Sequence, residues 1–204
     1  MDPRFTPHNR HVDGLEALLR YDPHLERLNS QPLIHSSPLL NVLPVEPGIY
    51  SITGGRQVGK STLLKQRIAD LLRSSIPPRQ IAYFTAELID DHHALVRHLS
   101  EFIETAGEGA PIFIMLDEVT YCREWDRAVK YLADAGLRKN VVLVVTGSDS
   151  VILREARVRL PGRRGKEANV DFHLYPLSFS EAVHLENPSL AAELHAHTEA
   201  LTPI

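Results

Sequence analysis

The sequence has a single cysteine, Cys122, among its 204 residues. No intrachain disulfide can form, which suits a reducing compartment. No apolar run approaches the ~20 residues that a bilayer span needs. The opening stretch Met1-Asp-Pro-Arg-Phe-Thr-Pro-His8 lacks the apolar centre of a signal peptide. A cytoplasmic protein with no membrane partner is the expectation. Neither sign of charge dominates: the formal net charge is −4 at pH 7, with 24% charged residues. Nothing there indicates a general nucleic-acid binder, although a local basic patch stays possible. The eleven histidines are scattered. The pairs His92-His93 and His195/His197 could ligate a metal, but no Cys/His/carboxylate group has zinc-site spacing, so solvated histidines are expected. An Asn-Lys-x-Asp element that would read guanine is also missing. What remains is a chain with 43% hydrophobic residues, enough for a core, at a length natural for one α/β domain with an extension.

That chain is organised around Gly54-Gly55-Arg56-Gln57-Val58-Gly59-Lys60-Ser61-Thr62. The spacing fits the phosphate-binding loop, a Gly, four residues, then Gly-Lys-Ser/Thr. Gly54 and Gly59 allow backbone conformations closed to residues with a Cβ, so that successive N–H groups can turn onto a phosphate. Lys60 would meet the β- and γ-phosphates, and the Ser61 hydroxyl would meet Mg²⁺. Gly48 to Thr53 reads as a buried strand before the loop, and Ser61 to Leu72 as a helix after it. The helix N-terminus also favours an anion.

A second buried strand, Ile81 to Thr85, ends near Glu87, which could face the ligand edge or simply be solvated. An amphipathic helix follows from Asp90 to Ala106. The apolar run Pro111 to Leu116 is what a parallel strand buried on both faces requires, and it ends in Asp117-Glu118. Asp117 would hold the Mg²⁺ shell opposite Ser61, and Glu118 would polarise an attacking water. Trp125 is read as packing its loop onto the helix Asp126 to Ala135, which Gly136 would terminate.

Asn140 to Thr146 is a further buried strand, running into Gly147-Ser148-Asp149-Ser150. Ser148, in preference to Thr146, could contact the γ-phosphate and the water. Ser148 or Asp149 could instead cap a helix over Val151 to Arg157. In Leu160-Pro-Gly-Arg-Arg-Gly165, Arg163 or Arg164 could neutralise charge on the transferring phosphoryl group, or form a solvated basic turn. Asn169 to Tyr175 reads as the last strand, and Pro176 to Glu181 as the cap of a helix reaching about Leu185.

Residues 1–46 form an N-terminal extension, with a short amphipathic helix over Asp13 to Arg20 and an extended, proline-containing connection. The extension is expected along the edge or base of the domain at 47–185, with a helical tail at 186–204.

Taken together, the loop, the Asp-Glu strand, Thr-Gly-Ser-Asp-Ser, Pro-Gly-Arg-Arg and Pro-Leu-Ser-Phe-Ser-Glu resemble prokaryotic AAA-family ATPases whose P-loop domain precedes a C-terminal domain of unknown function. The similarity covers about residues 45–185. It implies a three-layer α/β P-loop NTPase with a mostly parallel sheet of additional-strand type, order 5-1-4-3-2. It also implies ATP as nucleotide, with the roles above for Lys60, Ser61, Asp117 and Glu118. The companion domain is expected to be missing, as in a shortened or minimal version. The leading expectation is Mg²⁺-dependent ATP hydrolysis coupled to a conformational change, with self-association or an unknown protein partner. A binding switch with little turnover and a small-molecule phosphotransferase are the alternatives; for the latter, Arg154, Arg157, Arg159, Arg163 and Arg164 would resemble a lid.

Overall fold

The computed structural model describes residues 2–107, 109–135, 139–147, 167 and 169–192. Five strands form one sheet: β1 (Gly48–Thr53), β2 (Ile81–Thr85), β3 (Ile112–Asp117), β4 (Val141–Gly147) and β5 (Asp171–His173). Their order is β2-β3-β4-β1-β5, the implied 5-1-4-3-2 read from the other edge, and every pairing is parallel. β1 to β4 are buried along their whole length, which explains why β2, β3 and β4 run apolar up to their polar C-terminal ends.

Alternate residues of these strands feed two cores. Ile112, Ile114 and Leu116 meet α4 (His92–Ala106) and α5 (Trp125–Asp134) on one face. Phe113 and Met115 meet α3 (Lys60–Arg73) on the other, where α1 (Leu15–Tyr21) and α2 (Pro23–Asn29) add Leu18 and Leu25. The result is three layers with the sheet in the middle. Trp125 packs in the first core, as its position beside α5 suggests.

The N-terminal extension is more structured than its sequence announces. α2 was not anticipated; Pro23 occupies its first turn and the Asp22 carboxylate caps the N–H groups of His24 and Leu25. The proline-containing connection is not uniformly extended either, because Pro38–Val42 forms a 3-10 turn that buries Leu40. Asn9 and His11 cover the free edge of β2. The Asn9 side chain donates to Tyr83 O and accepts from Tyr83 N, both at 2.8 Å, and His11 Nε2 lies 2.8 Å from Ile81 O. His11 and His98 are buried, which corrects the expectation of solvated histidines. The carbonyl of Ile81 gives His11 a partner that replaces water.

α4 begins at His92 because Asp91 caps it, and β5 is only three residues long. α6 (Phe179–Glu186) carries the expected cap: Ser178 and Glu181 form a reciprocal capping box. Gly136 lies outside the described residues, as does 193–204 of the tail; 188–192 are helical. No described helix is long and apolar enough to cross a membrane.

Candidate functional site

The loop between β1 and α3 lies at the C-terminal edge of the parallel sheet, where such folds place ligands. Gly59 has φ +98° and forms the left-handed N-cap of α3, as glycine there should. Gln57 also has positive φ, 62°. Gly54 differs from expectation: its φ is not positive. Glycine is needed there because a Cβ would lie 2.5 Å from Leu174 O, just past β5. Gly55, Arg56 and Gln57 are exposed, while Val58 and Thr62 are half-buried. Lys60 is 4% exposed, and its ammonium donates to Gly55 O at 2.8 Å and Gly54 O at 3.3 Å.

β3 delivers the carboxylates to the same place. Asp117 is buried and collects three hydroxyl donors. Ser61 Oγ reaches Oδ2 at 2.6 Å and the Tyr83 hydroxyl reaches Oδ2 at 2.5 Å, while Thr146 Oγ1 donates to Oδ1. Thr146, at the end of β4, also accepts from Glu118 N at 3.0 Å. Glu118 takes a left-handed conformation, φ 51°, ψ 48°. Its Oε1 lies 3.5 Å from Lys60 Nζ, and its Oε2 is buried with no hydrogen-bond partner among the described residues.

Thus the structure brings together Lys60, Ser61, Asp117 and Glu118, predicted from separate segments. Ser61, Asp117 and Glu118 border an open cavity of about 460 Å³ that Arg56, Gln57 and Glu87 also line. Ser148, Arg163 and Arg164 lie outside the described residues, and Thr146 is the member of its strand end seen at the site.

Three contributors had no sequence signal. Tyr83 reads simply as a strand residue, yet its hydroxyl reaches the carboxylate. Burial first, then the Asp117 charge, raises its pKa well above the ordinary phenol range. Lys65 reads as the polar face of α3, yet it is fully buried, paired with Asp22 at 2.9 Å and 3.6 Å from the Tyr83 ring centroid. Asp22 precedes α2, a helix that the sequence did not announce. Cys122 is buried and pushed up to about 11 by that burial, so it is no thiolate nucleophile. Among the described residues no group of three or more His, Cys, Asp or Glu could hold a metal ion; the oxygen donors Ser61 and Asp117 remain the pair suited to a hard cation.

Among curated proteins, the chain is 30% identical over 145 residues to an uncharacterized protein of Haemophilus influenzae, covering 68% of this chain and 34% of that one. It is 33% identical over 136 residues to an uncharacterized protein of Methanocaldococcus jannaschii, covering 65% and 27%. The chain thus spans about a third of the length of these relatives. Among solved structures it is similar to Cdc6p from Pyrobaculum aerophilum, with TM-score 0.48 and 14% identity over 94% of this chain and 51% of that one. A similar value is found for a Walker-type ATPase of Pyrococcus abyssi, TM-score 0.48 at 15% identity, covering 77% and 56%. The family model described as AAA domain matches residues 46–183, the span that carries the phosphate loop, the whole sheet and the Asp117-Glu118 edge. The chain therefore belongs to the AAA family of P-loop, nucleotide-binding ATPase domains.

Proposed function

We propose that residues 47–185 bind ATP across the loop 54–62 and hydrolyse it to ADP and phosphate with Mg²⁺, with residues 1–46 acting as an integral extension. The observation that carries this reading is the convergence of Lys60, Ser61, Asp117 and Glu118 at one edge of the sheet.

The oxygen donors fit Mg²⁺, with Ser61 and Asp117 as the residues that would hold it. Bound there, the ion supplies positive charge against the phosphate oxygens. Lys60 now spends its ammonium on two loop carbonyls and on Glu118. Phosphate oxygens are stronger acceptors, because both partners then carry charge. The N-terminus of α3, behind the exposed loop residues Gly55 to Gln57, favours the same anion. As Lys60 turns to phosphate, Glu118 is released to act as base. It accepts a proton from water while the water oxygen bonds to the γ-phosphorus and the bond to the β–γ bridging oxygen breaks, leaving ADP and phosphate. Oε2 of Glu118, buried and without a hydrogen-bond partner among the described residues, supports this role. Ser148 and Arg163 are assigned to contacting the γ-phosphate and neutralising its charge, the latter within the chain or from a neighbouring copy.

The test is ATP turnover by the wild type and by Glu118→Gln, with mass measured across protein concentration. Glu118→Gln is expected to keep nucleotide binding and lose at least 10²-fold in turnover, the scale of general-base catalysis. Equal rates would sink the hydrolytic assignment. Tight ATP binding without turnover at any concentration would favour a binding switch, and turnover that rises with concentration an assembling ATPase.

A further inference from the structure

Tyr83 occupies a position that the proposed hydrolysis does not itself need, and four separate contacts hold it there. Asn9 brackets its backbone on both sides, at 2.8 Å to the N–H and 2.8 Å to the carbonyl. The Lys65 ammonium sits 3.6 Å from the ring centroid, and the His8 ring stacks at 6.0 Å. Lys65 is in turn held by Asp22 at 2.9 Å and by His8 O at 2.5 Å. The end of this chain of contacts is the Tyr83 hydroxyl, donating at 2.5 Å to the Asp117 oxygen that also receives Ser61. Asn9, His8 and Asp22 all belong to the N-terminal extension, so that extension reaches the carboxylate through one side chain.

We propose that Tyr83 is a positioning residue for Mg²⁺: held by the N-terminal extension, its hydroxyl fixes the rotamer of Asp117 that binds the ion. A carboxylate free to rotate about its Cα–Cβ and Cβ–Cγ bonds must give up that freedom on binding a metal. One held in advance by donors from both sides has already lost it. Outer-shell partners of this kind typically contribute a factor of about 10 to 100 in metal affinity. Tyr83 and Thr146 grip opposite oxygens of Asp117, so neither alone fixes the plane of the carboxylate. The inference rests on the reading of Ser61 and Asp117 as the metal ligands.

The experiment measures ADP affinity for the wild type and Tyr83→Phe by calorimetry, first in EDTA and then across a Mg²⁺ titration. Tyr83→Phe keeps the ring against Lys65 and leaves Asp117 two donors, so it is expected to fold, which its melting temperature checks. Metal-free ADP affinity should be unchanged, while the Mg²⁺ concentration that half-saturates the tightening should rise on the order of tenfold. A merely structural tyrosine would shift melting and both affinities together. An unchanged or tighter Mg²⁺ midpoint with a normal wild type overturns the positioning role alone. If the wild type binds ADP with no response to Mg²⁺, the ligand assignment fails first, and this inference with it.

Discussion

Lys65 shows how little a residue's type says about its place. It lies on α3 among Leu63, Leu64 and Ile68 and is fully buried. Burial pulls its pKa down, while Asp22, also fully buried at 2.9 Å, favours the charged form. Neither charge is stable in such a place without the other. Removing one partner of a buried pair leaves an uncompensated ion and costs about 3–5 kcal/mol, whereas replacing both by apolar groups is often neutral. Asp22→Ala is therefore expected to lower the unfolding free energy by about 3–5 kcal/mol. Asp22→Ala combined with Lys65→Met should recover most of that, keeping a deficit of about 1 kcal/mol for the lost cap of α2. Urea unfolding of the two variants checks this; equal losses would mean that the cap and not the ion pair carries the effect.

At the scale of elements, the phosphate loop depends on a strand far from it in sequence. β5 pairs with β1, and the chain just beyond it donates from Leu174 N to Thr53 O at 2.7 Å. That close approach is what makes Gly54 a glycine. Gly54→Ala would set a methyl 2.5 Å from Leu174 O, where backbone faces it and no flexible side chain can yield. Gly55→Ala meets only Val58 Cγ1 at 3.4 Å, ordinary contact. Gly54→Ala is expected to cost about 1–3 kcal/mol, as overpacking does, and to weaken nucleotide binding by displacing the loop from β5. Gly55→Ala should melt within a degree or two of the wild type. Thermal melting with and without ADP separates them.

The same two elements show what the sequence could and could not disclose. β3 and β4 are legible because strands buried on both faces run almost continuously apolar, and the loop, with β1 just before it, is legible because its chemistry fixes its spacing. Asp117 and Glu118 follow from strand direction, since a parallel strand leaves its C-terminal residues at the ligand edge. Gly54's reason is not legible, because the pattern demands a glycine without saying whether φ or a neighbour requires it. Tyr83 and Lys65 are hidden for a related cause: their partners Asn9 and Asp22 lie in a segment whose own pattern names no chemistry. Only the folded sheet brings β2 against that segment.

For the whole molecule, the extension closes the edge that β2 would otherwise leave open, and one histidine makes that closure sensitive to acid. His11 Nε2 lies 2.8 Å from Ile81 O, a carbonyl that can only accept, so Nε2 carries the hydrogen. Its Nδ1 is buried with no hydrogen-bond partner among the described residues. Protonating Nδ1 would bury a charge without compensation, and desolvation accordingly lowers the pKa from 6.5 to about 4. Above pH 6.5 both folded and unfolded chains hold the ring neutral, and the stabilisation is fully present. Between about 6.5 and 4 the unfolded chain binds the proton and the folded one does not, so stability falls as pH falls. The full shift corresponds to about 3 kcal/mol. His8 and His98, lowered by the same cause, act in the same direction. His11→Gln keeps a neutral donor for the Ile81 carbonyl and has nothing to titrate. Its melting temperature is expected to fall below that of the wild type at pH 7.5, because the amide fills the site less well, and to lose less on going to pH 4.5. Parallel pH profiles for the two proteins would show that the acid sensitivity of the edge lies elsewhere.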